Sequence, residues 1–345
     1  DYEKALEQYI KVKEISEKIG DIKSLAIALH QVGMIYHKKG DYVAALEQYQ
    51  KSLEINEEIG DISGVSTSLH QVGMIYQDRG DYEAALEKYQ ASLEIKEKIG
   101  SKKGMASSMH QIGIIYHKRG EYDAALEQYQ KALEIFKEIG DVSDVAISLH
   151  QIGNAHFQRG DYDAALEKYQ ASLEIAEKIG DKAGATYSSG QIGIIYQQKG
   201  DYDKALEKYI KVKEISEKIG DIKSVAIALQ QIGVIYEERG EYDAALEQYQ
   251  ESLEIKEKIG DIAGMASSFG QLGQFYFSRN DLETALKYFI QAFLIFSRLG
   301  SPYATMVQKD IVLIQEKLSK DRFEAILREF DPGKADATVR IKGNK

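Results

Sequence analysis

The chain has 345 residues, a formal net charge of −11 and no cysteine. The negative charge argues against binding to nucleic-acid phosphates or anionic membranes, and the absence of cysteine excludes disulfides, thiolate metal sites and a cysteine nucleophile. No run of 18 apolar residues is present, so the sequence predicts no membrane-spanning helix.

Glycine marks the chain at intervals of twenty residues. It occupies every twentieth position from Gly20 to Gly260 and returns at Gly300, while Asn280 takes the remaining place. Glycine, and after it asparagine, adopts most readily the left-handed conformation that ends many helices. The next residue is always Asp, Glu or Ser, whose side-chain oxygen suits the positive start of a helix. We therefore predict helices of about 17 residues, roughly 25 Å long, joined by tight turns.

In chain order, residues 1–20 are predicted to form a lone helix of a second type, and seven repeats of forty residues follow. Each repeat has a first and a second helix, and the repeats run 21–60, 61–100, 101–140, 141–180, 181–220, 221–260 and 261–300. In the repeat 21–60, the predicted packing faces are Ile22, Leu25, Leu29, Val32 and Tyr36 in the first helix and Tyr42, Ala45, Leu46, Tyr49, Leu53 and Ile59 in the second. Gly33 and Ala45 recur in every repeat, which predicts a close approach of the two helices.

The two ends depart from this pattern. Residues 301–330 are predicted to form a helix and a shorter amphipathic helix that cap the array, and residues 331–345 a flexible tail. The chain begins at Asp1, without methionine and partway through a repeat, so we expect the natural N terminus to lie further upstream. The lone helix is predicted to expose an apolar edge of Tyr2, Leu6, Tyr9 and Ile15.

The residues of each repeat resemble the tetratricopeptide repeat signature. An apolar residue and glycine (Val32, Gly33) precede Tyr36, and the second helix carries Ala45 and Tyr49. The similarity covers residues 1–300, and the forty-residue period resembles the long-helix subclass found in kinesin light chains, spindle-orientation adaptors and the sensor arrays of signalling NTPases. It implies an all-α fold, a right-handed superhelical α-solenoid, in which the first helices line a concave groove.

One surface of the first helix varies while the packing face stays nearly constant. Residues 1–20 and 201–220 differ at two positions, whereas the helices that follow them, 21–40 and 221–240, differ at seven. The non-conservative differences are His30/Gln230, Met34/Val234, His37/Glu237 and Lys38/Glu238. Their spacing places them on one side of a helix, and we call this side, followed through all repeats, the candidate stripe.

We predict that the candidate stripe forms a peptide-binding groove. Its residues are His30, Gln31, Met34, His37, His70, Gln71, Met74, His110, Gln111, Ile114, His117, His150, Gln151, Asn154, Phe157, Tyr187, Gln191, Gln231, Glu237, Gln271 and Phe277. The amides of Gln71, Gln111, Gln151 and Gln191 would bond the ligand backbone. Met34, Met74, Ile114 and Phe157 would supply adaptable apolar contact.

Two other interpretations of the stripe stay open. Exposed positions also drift because surface changes are usually near neutral, and an apolar stripe can contact a neighbouring helix instead of a ligand. The histidines do not predict a metal site, because equivalent residues of successive repeats should lie about 10 Å apart whereas all ligands of one ion lie about 2 Å from it. His156 replaces a recurring tyrosine and is predicted to be a core histidine with a hydrogen-bond partner.

The sequence therefore predicts a protein–protein interaction scaffold that holds a partner peptide or helix, with no enzymatic activity and no cofactor. Two alternatives remain: the C-terminal ligand-sensing array of a larger signalling NTPase, and a structural repeat that stacks end to end through its open N-terminal helix. We expect a protein or peptide partner, no nucleic acid or membrane partner, and a cytoplasmic location.

Overall fold

The computed structural model describes residues 2–330, and all regular structure in that range is helical. The first helices are α2 (Ile22–Lys38), α4 (Ile62–Asp78), α6 (Lys102–Lys118), α8 (Val142–Gln158), α10 (Lys182–Gln198), α12 (Ile222–Glu238) and α14 (Ile262–Ser278). The second helices are α1 (Tyr2–Ile19), α3 (Tyr42–Glu58), α5 (Tyr82–Lys98), α7 (Tyr122–Glu138), α9 (Tyr162–Ile179), α11 (Tyr202–Ile219), α13 (Tyr242–Ile259) and α15 (Leu282–Arg298). Helices α16 (Tyr303–Lys317) and α17 (Lys320–Glu329) follow. None of the helices within residues 2–330 has the length and apolar character needed to cross a membrane.

The predicted turns are present after each of the helices α1 to α15. Each boundary glycine has a positive φ, and Asn280, at φ 61°, is the only described residue other than glycine that does. After α2, for example, the amide of Asp41 donates to the carbonyl of Tyr36 at 2.9 Å, which satisfies a helix-end acceptor. Most boundary aspartates also cap the next helix, as where Asp41 accepts from the amide of Ala44 at 3.1 Å. The longer Glu121 and Glu241 make no such bond.

Glycine in the first helix lets it pack directly on a tyrosine ring of the second. A Cβ atom placed on Gly33 would lie 2.9 Å from the ring of Tyr49, and one on Gly113 would lie 2.7 Å from Tyr129. Both tyrosines are buried. Within each of the ranges 2–180 and 181–330, the second helices also pack against the first helix that follows them, so that Tyr49 shares a core with Val72 and Ile75 of α4.

This close contact predicts opposite effects for two alanine substitutions in α10. Gly193→Ala should destabilise the protein by about 1–3 kcal/mol, because its Cβ would lie 2.8 Å from the Tyr209 ring. Gly190→Ala should instead stabilise it by about 1 kcal/mol, because that Cβ has no atom within 4 Å apart from neighbouring residues and backbone of its own helix, and alanine favours helix. Urea unfolding followed by circular dichroism checks both values, and equal effects of the two variants would contradict the packing described here.

The chain divides into two compact modules, Asp1–Gly180 and Asp181–Lys345. The N-terminal module contains α1–α9, and the C-terminal module contains α10–α17. In the C-terminal module, Phe323 and Ile326 of α17 pack into the core formed by α15, and Arg322 binds Glu283 with its Nε 2.5 Å from Oε1. The predicted tail, 331–345, lies outside the described residues.

Three details of the predicted packing faces are wrong. Leu6 was predicted at an exposed edge, but it is buried against Val32 and Ile35 of α2. Ile22 and Ile59 were predicted to pack, but both are exposed. Ile22 is the first residue of α2 and Ile59 follows the last residue of α3, so both side chains extend beyond the length over which the helices touch.

Candidate functional site

The four histidines that open the candidate stripe pack against tyrosines of their own repeats. The ring centroids are 5.3 Å apart for His30 and Tyr49, and 5.1–5.3 Å apart for the other three pairs, which are His70–Tyr89, His110–Tyr129 and His150–Tyr169. Burial lowers the pKa of His30, and it lowers the pKa of His110 and of His150 to about 4. Burial and repulsion from Lys96 together lower the pKa of His70 to about 3. These rings are therefore neutral at pH 7 and pack against the tyrosines of their repeats. Among the described residues, no three His, Asp or Glu side chains are placed to hold a metal ion.

Two buried lysines lie behind this line, and neither has a carboxylate partner within hydrogen-bond distance. Lys96 of α5 donates to Ser108 Oγ at 3.0 Å and lies 3.5 Å from Nδ1 of His70. Burial lowers the pKa of Lys96 to about 8. Its stem lies beside Gly104, where an added Cβ would come 2.9 Å from Cδ of the lysine. This cluster is not among the residues predicted from the sequence, although the presence of Gly104 eight residues after Lys96 is a signal for it.

Lys256 of α13 repeats the arrangement in the C-terminal module. It donates to Ser268 Oγ at 2.8 Å and to Gln230 Oε1 at 2.5 Å, so glutamine stands where the N-terminal module has His70. Burial lowers the pKa of Lys256 to about 8 as well. Lys96 thus connects α5 to α4 and α6, and Lys256 connects α13 to α12 and α14, so both clusters lie between packed helices.

The line of His37, His117 and Phe157 also packs on aromatic residues. The three rings lie 5.4–5.8 Å from Tyr42, Tyr122 and Tyr162 respectively. His37 further bonds Asp78 of α4, with Nε2 2.7 Å from the carboxylate oxygen. In the C-terminal module, Phe277 is covered by Lys317 of α16, whose Nζ lies 4.8 Å from the ring centroid. Phe277, the last residue of the stripe, therefore contacts another side chain of the protein.

Several glutamines predicted to bind a ligand backbone have partners within the protein. Tyr49 donates to Gln71 Oε1 at 3.5 Å, and Gln271 donates to the Tyr249 hydroxyl at 3.3 Å. Gln151 accepts from Asn154 at 3.0 Å, and Asn154 in turn accepts from Tyr169 at 2.7 Å. Glu237 accepts from Tyr249 at 2.8 Å. In these bonds Gln71, Gln151 and Gln271 each use one side-chain atom, whereas Asn154 uses both its nitrogen and its oxygen.

The apolar members of the stripe are half-buried. Met34 packs against the core that Tyr49 shares with α4, Met74 against the core around Tyr89, and Ile114 against the core around Tyr129. They therefore serve the contact between repeats, which is one of the interpretations left open by the sequence. His156 is also half-buried, with Nδ1 3.5 Å from the carboxylate of Asp161 and without hydrogen-bond geometry, so its predicted partner is not confirmed.

Four first helices carry a large exposed apolar residue four positions before the stripe glutamine, and we call these four residues the exposed apolar row. Its members are Ile27, Ile147, Tyr187 and Ile227. The side chain of Tyr187 is 68% exposed and that of Ile27 is 55% exposed. Ile27 precedes Gln31 by four residues and Met34 by seven, so the three share one face of α2. Of this row, only Tyr187 is predicted from the sequence, because Ile27 and Ile227 are the same residue and so show no difference between α2 and α12.

The two lysine clusters contain no accessible side chain that could act as a nucleophile. The distance of 3.0 Å between Lys96 Nζ and Ser108 Oγ is that of a lysine–serine nucleophile pair. Ser108 is fully buried, however, and Ser268 is only 3% exposed. A substrate carbonyl must come within about 3 Å of such an oxygen. The clusters therefore do not resemble an active site.

The comparisons with known proteins agree with this helical architecture. A family model described as tetratricopeptide repeat matches residues 1–58, 64–138 and 182–258, and a second one with that description matches residues 146–179. No curated protein matches the chain.

Solved structures with similar folds include aspartyl phosphate phosphatase F from Bacillus subtilis, with a TM-score of 0.63 and 15% identity over 82% of this chain and 73% of that chain. BtubC from P. vanneervenii gives a TM-score of 0.58 and 19% identity over 64% of this chain and 92% of that chain. A Rap protein complexed with competence and sporulation factor gives a TM-score of 0.55 and 19% identity over 90% of this chain and 82% of that chain. At these identities the similarity shows the fold alone.

Proposed function

Because the chain belongs to the tetratricopeptide repeat family, we propose that it is an interaction scaffold whose first helices bind a segment of a partner protein. The exposed apolar row carries this proposal. Ile27 and Ile147 in the N-terminal module, and Tyr187 and Ile227 in the C-terminal module, keep large apolar side chains in water. Tyr187 and Ile227 stand at the same position of successive first helices, and neighbouring exposed apolar residues often mark a contact site.

The polar groups beside the row suit a peptide backbone. Gln31, Gln151, Gln191 and Gln231 are half-buried and stand four residues after the row members of their helices. An amide that offers one donor and one acceptor can bond an extended or helical segment without regard to its side chains. The family resemblance further implies that these helices line the concave side of a right-handed superhelix. In this proposal the row supplies affinity and the amides set the register.

Peptides selected from a random twelve-residue display library on the full chain provide the probe. Ile147→Glu should weaken a peptide that binds the N-terminal module at least tenfold, because it places a charge where an apolar contact is made. Gln111→Ala combined with Gln151→Ala should also weaken it and leave helicity unchanged.

The matched control is Val43→Glu, which alters an apolar residue that is 75% exposed on the second helix α3. It should bind the selected peptides as tightly as the unaltered chain. Isothermal titration calorimetry gives the dissociation constants. Peptides that lose affinity through Val43→Glu and keep it through Ile147→Glu would place binding on the other side of the repeats and overturn the proposal.

A further inference from the structure

One position of the first helices holds a histidine ring throughout the N-terminal module and carries no side chain in α10. The four rings lie on tyrosines of their repeats, with centroids 5.1–5.3 Å apart, and they belong to His30, His70, His110 and His150. Gly190 occupies this position in α10, while Tyr209 of α11 keeps the place of the tyrosine. An added Cβ on Gly190 meets no atom within 4 Å apart from neighbouring residues and backbone of its own helix. We call the space between Gly190, Tyr209 and Ser216 of α11 the Gly190 notch.

Packing does not account for this glycine. Gly193, one turn later in α10, leaves no room for a side chain, because a Cβ there would lie 2.8 Å from the Tyr209 ring. Gly190 has no such contact, and glycine weakens the interior of a helix relative to alanine. Gly190 therefore lowers the stability of α10 and leaves open a position that a side chain could fill.

A buried hydroxyl without a partner is directed toward this position. Ser216 is fully buried, and its Oγ has no hydrogen-bond partner among the described residues. Lys256 stands forty residues later, at the same place of α13, and it donates to Gln230, which stands forty residues after Gly190. The side chain at this place of a second helix therefore extends toward the position that Gly190 occupies in α10. A buried hydroxyl is normally hydrogen-bonded, so Ser216 can bond a ligand group in the Gly190 notch.

The second glycine at this position lacks such a hydroxyl. Gly270 of α14 also has open space at its Cβ, but Phe296 of α15 stands where α11 has Ser216. Phe296 is buried and belongs to the core formed by α15. Open space and an unpartnered polar group therefore occur together at Gly190 and not at Gly270, which makes Gly270 the matched control position.

We propose that the Gly190 notch binds the imidazole ring of a histidine in the bound partner segment. This assignment rests on the function proposed above. The chain itself places an imidazole on the equivalent tyrosine four times, and His70 Nδ1 lies 3.4 Å from the hydroxyl of Ser108. A ring in the Gly190 notch would offer one nitrogen to the Ser216 hydroxyl. The seven histidines of the sequence all lie in α2, α4, α6 and α8, and residues 331–345 contain none, so the ring comes from a segment outside this sequence.

The notch lies beside the exposed apolar row. Tyr187, which is 68% exposed, precedes Gly190 by three residues and Gln191 by four, so the three residues share one side of α10. A segment that contacts Tyr187 and bonds the Gln191 amide would therefore pass the notch with one side chain within reach.

4-Methylimidazole, which reproduces the histidine side chain, is the probe for the notch itself. Nuclear magnetic resonance of the full chain with isotope-labelled glycine reports its binding at about pH 8.5, well above the histidine pKa of about 6.5. We expect saturable shifts of the Gly190 and Gly193 amide signals, with a dissociation constant in the millimolar range that suits so small a ligand.

Two variants of the full chain locate this binding. Gly190→His should abolish the shift of Gly193, because it fills the notch with the ring that four other repeats carry. Gly270→His should leave that shift unchanged. Circular dichroism confirms that both variants are folded. Absence of saturable shifts up to about 100 mM 4-methylimidazole, or an equal shift of Gly193 in Gly190→His, overturns the proposal.

Peptides from the display library test the histidine of the partner. Those that lose affinity through Tyr187→Ala should contain a histidine, and its replacement by alanine should weaken binding to the unaltered chain at least tenfold. The same replacement should leave binding to Gly190→His unchanged, because the notch is then already filled.

The outcomes separate this inference from the function proposed above. Peptides that depend on Tyr187 and bind Gly190→His as tightly as the unaltered chain would overturn the histidine assignment and keep the proposed function. Peptides that depend on neither Tyr187 nor Ile147 would contradict the proposed function, and with it the histidine of the partner, even where 4-methylimidazole binds.

Discussion

Lowering the pH from 7 to 5 should destabilise residues 1–180 by several kcal/mol and leave residues 181–345 nearly unaffected. All seven histidines of the chain lie in the N-terminal module, and four of them pack on buried tyrosines. Burial holds the pKa of His70 at about 3 and those of His110 and His150 at about 4 in the folded protein, with Lys96 contributing at His70. In the unfolded chain a histidine has a pKa of about 6.5.

The direction of the effect follows from these pKa values. Because the folded pKa is the lower one, the unfolded chain binds more protons below pH 6.5, and stability is lost as the pH falls from 6.5 toward 4 and 3. A pH of 5 lies about 1.5 units below the unfolded pKa. Protonation of each histidine therefore stabilises the unfolded chain by about 2 kcal/mol, at 1.36 kcal/mol per unit. His70, His110 and His150 together therefore contribute about 6 kcal/mol, and His30 acts in the same direction. A loss of this size is comparable with the whole stability of many domains.

Urea unfolding at pH 7 and pH 5, with hydrogen exchange to locate the opened residues, measures the effect. The matched control replaces His30, His70, His110 and His150 by glutamine, the residue that stands at the equivalent Gln230. That variant should lose much less stability between pH 7 and pH 5. An equal loss in the variant, or a loss spread over residues 181–330, would show that the buried histidines are not its cause.

Lys96→Met should stabilise the protein at pH 7 by about 2 kcal/mol, because a buried ammonium without a carboxylate costs more than an apolar side chain of similar length. The positions equivalent to Lys96 in α7 and α15 carry Phe136 and Phe296, both buried, so the site accepts apolar groups. Ser108 Oγ and His70 Nδ1 already lie 3.4 Å apart and can bond each other once the lysine is gone.

The gain should depend on pH in one direction. The pKa of Lys96 falls from 10.5 to about 8 on folding, so its penalty of about 3 kcal/mol is present below pH 8 and disappears as the pH rises to 10.5. The advantage of the methionine variant should therefore be largest at pH 7 and absent near pH 10. Urea midpoints of both proteins at the two pH values test this, and a variant that is less stable at pH 7 would contradict the assignment of the lysine as a buried cost.

The fold was predictable because its determinants are local and repeated. Gly and Asn280 at intervals of twenty residues end the helices where predicted, and a glycine such as Gly113 occurs because the Tyr129 ring leaves no room for a side chain. The errors concern the ends of helices. The exposure of Ile22 and Ile59 depends on how far neighbouring helices overlap, which helical spacing alone does not reveal.

The candidate site was less predictable, because equivalent positions in successive repeats do not show whether a half-buried side chain packs inside the protein or is available to a partner. His110 varies between repeats like a surface residue, yet it lies against Tyr129 with its pKa lowered by burial. Ile27 is unchanged at Ile227 of the closely similar helix α12, as a core residue would be, yet it is exposed. Whether the amides and apolar residues of the stripe bind a partner stays a prediction.

Site-specific photo-crosslinking tests the proposed binding surface most directly. A photoreactive phenylalanine analogue is placed at position 187 or 147, in the exposed apolar row, and in a separate protein at position 43 of α3, and each is irradiated with a peptide selected on the unaltered chain. We expect a covalent adduct from position 187 or 147 and none from position 43. Adducts from position 43 alone would contradict the assignment of the first helices as the binding surface.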